Sequence, residues 1–171
     1  MPIFAAMEAV AEKTPDAPVL RFLKETLSYE ELSRRSDQLA AMLIQQGVAK
    51  GDRIGLYFNK SIESVVALYG VMKAGAVYVP LDPGAPAARL QSVMRLCDIQ
   101  VLISHPPKAR DLLEIVQSNG ARPELRCVIG LDDPLACCAR TLSWADLDQA
   151  ESFVRPELSG DDLAYILFSP P

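Results

Sequence analysis

Apolar residues recur along this chain at two periods, and the two periods alternate. Over residues 3–13, Phe4, Met7 and Ala11 share one stripe, which predicts a short amphipathic helix ended by the Thr14-Pro15-Asp16 breaker. A strand is expected from Pro18 to Phe22. Leu32, Leu39, Leu43 and Ile44 then mark a long helix over residues 29–46, with Gly47 placed to end it. Ser28 before it and Glu31 three residues on form a capping-box pattern, in which each residue satisfies an orphan N–H of the other. Residues 52–57 read as a short buried strand. Ser61 caps a following helix that runs through Met72 and is apolar on most sides, so it is expected to be largely buried. Lys73-Ala74-Gly75 closes that helix with a cation in its last turn and a glycine free to turn left-handed.

The alternation continues with a strand at Val77-Tyr78-Val79, stopped by Pro80, and an amphipathic helix over residues 85–96 with Leu90, Val93 and Met94 inward. A strand over residues 100–103 precedes the His105-Pro106-Pro107 breaker. A helix over residues 108–118 follows, stopped by Gly120, and then a strand over residues 125–129. Strands separated by helices imply parallel pairing through right-handed crossovers. The expected fold is therefore α/β: one layered, mostly parallel sheet with helices on both faces. Between Gly130 and Pro156 the pattern weakens. Residues 132–141 read as a loop, Ser143 caps a short acidic helix, and Trp144 is expected to pack into the core.

Composition narrows the function. The 171 residues, half of them apolar, suffice for one domain with a real core. Net charge is −5, from 17 basic and 22 acidic residues that are interspersed, so there is no basic stripe for nucleic acid and no polybasic cluster for an anionic membrane. The four cysteines, Cys97, Cys127, Cys137 and Cys138, have no CxxC spacing and are expected as reduced thiols. The N-terminal stretch lacks the basic head and long apolar run of a leader, and no segment approaches the roughly twenty apolar residues of a membrane span, so a cytoplasmic protein is expected.

Candidate chemistry is sparse. His105 is the only histidine, which excludes a His-based metal site or a complete Ser-His-Asp arrangement. The pairs Asp132-Asp133 and Asp161-Asp162 sit beside Pro134 and Gly160, where turn and capping roles outweigh metal ligation. GxGxxG, a phosphate-loop lysine and a nucleophile elbow are all absent. No catalytic residue is assigned.

Three segments carry a resemblance. KAGAVYVPLDP followed by PAARL, within residues 71–90, resembles the second signature of the adenylate-forming (AMP-binding) superfamily, which includes acyl-CoA synthetases and peptide-synthetase adenylation domains. Residues 26–32, Thr-Leu-Ser-Tyr-Glu-Glu-Leu, resemble its first signature. Residues 163–169 resemble the strand that enters the family's phosphate loop. The resemblance spans nearly the whole chain, as a single N-terminal adenylation portion over residues 1–171. It implies an enzyme that uses ATP and Mg to convert a carboxylate to an acyl-adenylate, then passes the acyl group to CoA or to a carrier protein's phosphopantetheine. The phrasing of VPLDPGAPAARL is slightly closer to carrier-loading domains.

Ser169 is the one site residue the resemblance carries over, at the first hydroxyl position of the phosphate loop. Pro170 and Pro171 follow it, and prolines offer no N–H groups to a phosphate. The expectation is thus a portion of a longer enzyme, inactive alone and binding no ATP by itself, with the remainder as its partner. A non-catalytic interaction module derived from such a domain is the alternative, and an unrelated flavodoxin-like or Rossmann-type domain a third. An unfinished sheet edge is expected to promote self-association.

Overall fold

The structure, a computed structural model, describes residues 1–117, 124–136, 138–150 and 152–169. The expected helix end at Ser118 and Gly120, and the residues Cys137, Pro170 and Pro171, lie outside them. Helix α1 (Ala5–Lys13) precedes a two-stranded antiparallel ribbon of β1 (Pro18–Phe22) and β2 (Glu25–Ser28). Helix α2 (Tyr29–Gln45) begins with the capping box read from the sequence. The Glu31 N–H donates to Ser28 Oγ at 3.2 Å, and the Ser28 N–H donates to Glu31 Oε2 at 2.9 Å.

The remaining strands are β3 (Arg53–Leu56), β4 (Val77–Pro80), β5 (Val101–Ile103), β6 (Cys127–Ile129) and β7 (Thr141–Leu142). They form one parallel sheet in the order β4-β3-β5-β6-β7. Period-two alternation divides their side chains between two cores. Ile54, Leu56, Val101, Ile103, Cys127 and Ile129 pack on one face with α2 and α3 (Ile62–Lys73). Tyr57, Val79, Leu102 and Val128 pack on the other with α4 (Ala87–Leu96) and α5 (Ala109–Gln117). Helices on both faces of a parallel sheet are the expected doubly wound arrangement.

Helix α3 is sandwiched tightly. Its Gly70 lets α2 approach so closely that an added Cβ would lie 2.6 Å from Leu39 Cδ2. Its end is a Schellman motif: Gly75 has φ +76°, its N–H donates to the Met72 carbonyl (3.0 Å), and the Ala76 N–H donates to the Val71 carbonyl (3.1 Å). Ser61 caps its start by accepting the Ser64 N–H at 3.2 Å.

Four expectations need correction. Thr141, read as the end of a loop, instead forms β7 with Leu142 against β6; two residues are too few to show a period. Helix α4 starts at Ala87 rather than residue 85, because Ala85 is spent on a turn to the Asp82 carbonyl and Pro86 is extended. The prolines after His105 open a 3-10 turn (Pro106–Lys108) leading into α5 instead of breaking the chain. Residues 163–169 do not form a full strand: they meet β4 at a single bridge, Tyr78 with Tyr165. The Tyr78 N–H donates to the Ala164 carbonyl (3.0 Å), and the Ile166 N–H donates to the Tyr78 carbonyl (3.1 Å). The ladder cannot lengthen because the Ala76 N–H is already committed to Val71, and Pro80, the next outward residue, has no N–H.

Candidate functional site

The second-signature segment and residues 163–169 come together at the β4 edge. Tyr78 and Tyr165 stack with centroids 5.4 Å apart and planes 26° from parallel. Burial pushes the Tyr78 phenol above its usual range, and the neighbouring Tyr165 and Tyr69 add to the shift. Past the bridge, Phe168 lines a groove of about 250 Å³ together with Pro80, Leu81, Ala85, Leu90 and Val93. At the groove's end the Arg89 guanidinium donates from Nη2 to the Ser169 carbonyl at 2.7 Å. Ser169 itself is exposed, with its chain path fixed from the second signature. Asp82, in the signature's Asp-Pro-Gly turn, accepts the Gly84 N–H at 2.8 Å and so shapes the loop.

Sequence reading missed Arg89. The available signal was electrostatic: Arg89 is the third residue of α4, where a cation opposes the helix dipole and needs another reason to be there. It also missed the second role of Lys73. Beyond closing α3, this lysine is fully buried, with Nζ 3.1 Å from Glu8 Oε1, 3.0 Å from Asp37 Oδ1 and 3.1 Å from the Ser33 carbonyl. Arg155 completes the cluster with two hydrogen bonds to Glu8 (2.9 and 2.7 Å) and one to Asp37 (3.1 Å). Burial raises the Glu8 carboxyl, but hydrogen bonds from Arg155 and Lys73, with their charges, outweigh it and hold Glu8 below the usual range. The cluster ties α1, α2, α3 and the residue-155 segment together.

His105 follows β5 and is 7% exposed. Its Nε2 accepts the Asn59 N–H at 3.3 Å and its ring lies 5.3 Å from Phe58, so it joins the loops after β3 and β5. Burial pushes its pKa down; Glu63 opposes this and Lys108 adds to it. Trp144 packs on the same core, its Nε1–H donating to the Ser104 carbonyl at 3.0 Å, as expected for a packing residue. Asp162 accepts the Ser159 N–H (2.7 Å) and pairs with Lys50 (2.9 Å), which is a turn role. Among the described residues, no group of three or more His, Cys, Asp or Glu could hold a metal ion, and no helix is long and apolar enough to cross a membrane.

Residues 163–169 thus sit on the edge of a doubly wound sheet, against the second signature. The chain belongs to the AMP-binding (adenylate-forming) family: residues 7–169 match the sequence model described as AMP-binding enzyme. It is 33% identical over 162 residues to gramicidin S synthase 2 of Aneurinibacillus migulanus, covering 95% of this chain and 3% of that protein. Its fold matches a mutant form of coronafacic acid ligase from Pectobacterium brasiliense with a TM-score of 0.87 at 19% identity, covering 99% of this chain and 34% of the ligase. It also matches an artificially fused adenylation–PCP di-domain, NpsA-ThdA from Klebsiella oxytoca, with a TM-score of 0.74 at 25% identity, covering 98% of this chain and 28% of that one. The chain thus spans a small part of the synthase and about a third of the ligase.

Proposed function

We propose that this chain is the N-terminal part of an AMP-forming ligase domain. Such a domain joins a carboxylate to the α-phosphate of ATP, releases pyrophosphate, and transfers the acyl group from the adenylate to a thiol with release of AMP. The family match across residues 7–169 carries this reading. Similarity to a gramicidin synthase and to an adenylation domain fused to a PCP favours a carrier-protein thiol over CoA as the acceptor.

Within the described residues, the group carried over to a nucleotide phosphate is the hydroxyl of Ser169, whose own carbonyl is held by the Arg89 guanidinium. It supplies one hydroxyl; a run of backbone amides that could cradle a phosphate does not accompany it there. The role proposed for these residues is to deliver the chain at Ser169, in a fixed position, to the nucleotide. Leu163, Tyr165 and Leu167 are exposed beside the β4 edge, so this edge is also the proposed route of self-association, which light scattering across a concentration series would detect.

The test of the function is hydroxylamine trapping by the protein translated from the complete reading frame, given ATP, Mg and a panel of amino acids and other carboxylates. One or a few carboxylates should yield hydroxamate and pyrophosphate. If none in a broad panel does so, while the protein is folded, the chain is an interaction module and the ligase reading fails.

A further inference from the structure

Arg89 is half-buried on the first turn of α4, and among the described residues its guanidinium forms no ion pair. Asp82 lines the same groove but is directed to the Gly84 N–H. Arg89 instead donates to a main-chain carbonyl eighty residues away, that of Ser169. This bond is the last fixed point of a three-part clasp on residues 164–169. The Tyr78 bridge holds the main chain on both sides of Tyr165, Phe168 lines one groove with Pro80, Leu81, Leu90 and Val93, and Arg89 fixes the carbonyl that follows. The clasp is built entirely from the second signature and α4. Since Pro80 prevents the β4 ladder from extending, nothing in the sheet itself would hold Ser169, and the task falls to one side chain.

We infer that Arg89 is a positioning residue for nucleotide binding: its hydrogen bond to the Ser169 carbonyl sets where the chain enters the ATP phosphate site. This rests on the ligase reading above. Ser169 is exposed, so ordering it without Arg89 costs conformational freedom at the moment ATP binds. With Arg89 in place that cost is met in the folded protein, which is preorganisation in the ordinary sense. A charge-assisted hydrogen bond also tolerates less displacement than a neutral one. Lysine can reach the same carbonyl with a single donor but lacks the planar fork, so it should substitute only in part.

The experiment is calorimetric titration of ATP–Mg into the protein from the complete reading frame, as wild type, Arg89→Ala and Arg89→Lys, with thermal unfolding measured on each. Arg89→Ala should weaken ATP–Mg binding about tenfold, the size expected for one charge-assisted hydrogen bond. Arg89→Lys should recover part of that loss, and both variants should melt within about 2 °C of wild type, as for a half-exposed side chain outside the core. Unchanged affinity in Arg89→Ala overturns the inference. So does a drop in melting temperature with affinity kept, or a loss of affinity that lysine does not relieve at all. Failure of the wild type to bind ATP–Mg would overturn the ligase reading instead, which separates the two claims.

Discussion

Replacing Lys73 with Met tests whether the buried ionic cluster holds the helical layer together. Methionine keeps an unbranched stem of similar length, so the packing of Lys73 between α2 and α3 survives and the charge alone is removed. Lost with it are contacts of 3.1 Å to Glu8, 3.0 Å to Asp37 and 3.1 Å to the Ser33 carbonyl. Removing one partner of a fully buried pair costs about 3–5 kcal/mol, because the remaining charge is stranded. Two features lower that figure here. Arg155 still holds both carboxylates, and the Glu8 and Asp37 side chains are 22% and 41% exposed, so water takes part of the load. About 2–3 kcal/mol remains, which for a domain of this size lowers Tm by roughly 5–10 °C. Urea unfolding at pH 7 reads the loss directly. In the double variant with Glu8→Gln the two losses should be markedly less than additive, since both remove one contact. A loss under about 0.5 kcal/mol, or a gain in stability, would refute the cluster's role, because that is the range of ordinary surface substitutions.

Other expectations follow from the same geometry. As Glu8 is held below its ordinary pKa of 4.5, its contribution is complete above that value and is lost as pH falls through the lowered one; the urea midpoint should drop below pH 4.5, and Glu8→Gln should flatten that limb. A midpoint that falls equally in Glu8→Gln would remove Glu8 from the explanation. Gly70→Ala should destabilise by about 1–3 kcal/mol although alanine favours helix, because its Cβ would be 2.6 Å from Leu39 Cδ2; a stabilised variant would mean α2 and α3 separate freely. Cys127, buried at the start of β6 with its thiol pushed up to about 11, should resist maleimide at pH 8 until the protein is unfolded, and mass mapping of an early adduct there would contradict the packing.

The sequence made some parts of this fold legible and hid others for identifiable reasons. Helix starts at Ser28 and Ser61, and the Gly75 ending, were readable because capping and left-handed turns are decided by residues a few positions apart. The strands β3 to β6 were readable because fully buried strands are continuous apolar runs between breakers. β1 was read at its observed bounds, Pro18–Phe22, but its antiparallel pairing with β2 was not, because that depends on a two-residue turn at Leu23-Lys24 that lacks glycine. β7 was invisible because Thr141-Leu142 acquires its identity only from lying beside Val128 and Ile129.

The candidate site divides the same way. The resemblance pointed to the second signature and offered Ser169 as a candidate, but not the contact between them, since Arg89 and Ser169 are far apart in sequence. Lys73 was assigned to a helix end by local pattern, and only the fold reveals that Glu8 and Asp37 converge on it and that Arg155 shares both carboxylates. Long-range polar contacts have no period, so spacing cannot report them.

The protein is proposed to be a carboxylate-activating ligase of which this chain is the N-terminal part. The most direct test of this is the exchange of labelled pyrophosphate into ATP by the protein from the complete reading frame, with each carboxylate of a panel added in turn. Exchange that requires one particular carboxylate, and disappears when it is omitted, is the predicted result. A folded protein that binds no ATP–Mg and shows no exchange with any carboxylate would contradict the account and leave the fold as an interaction module.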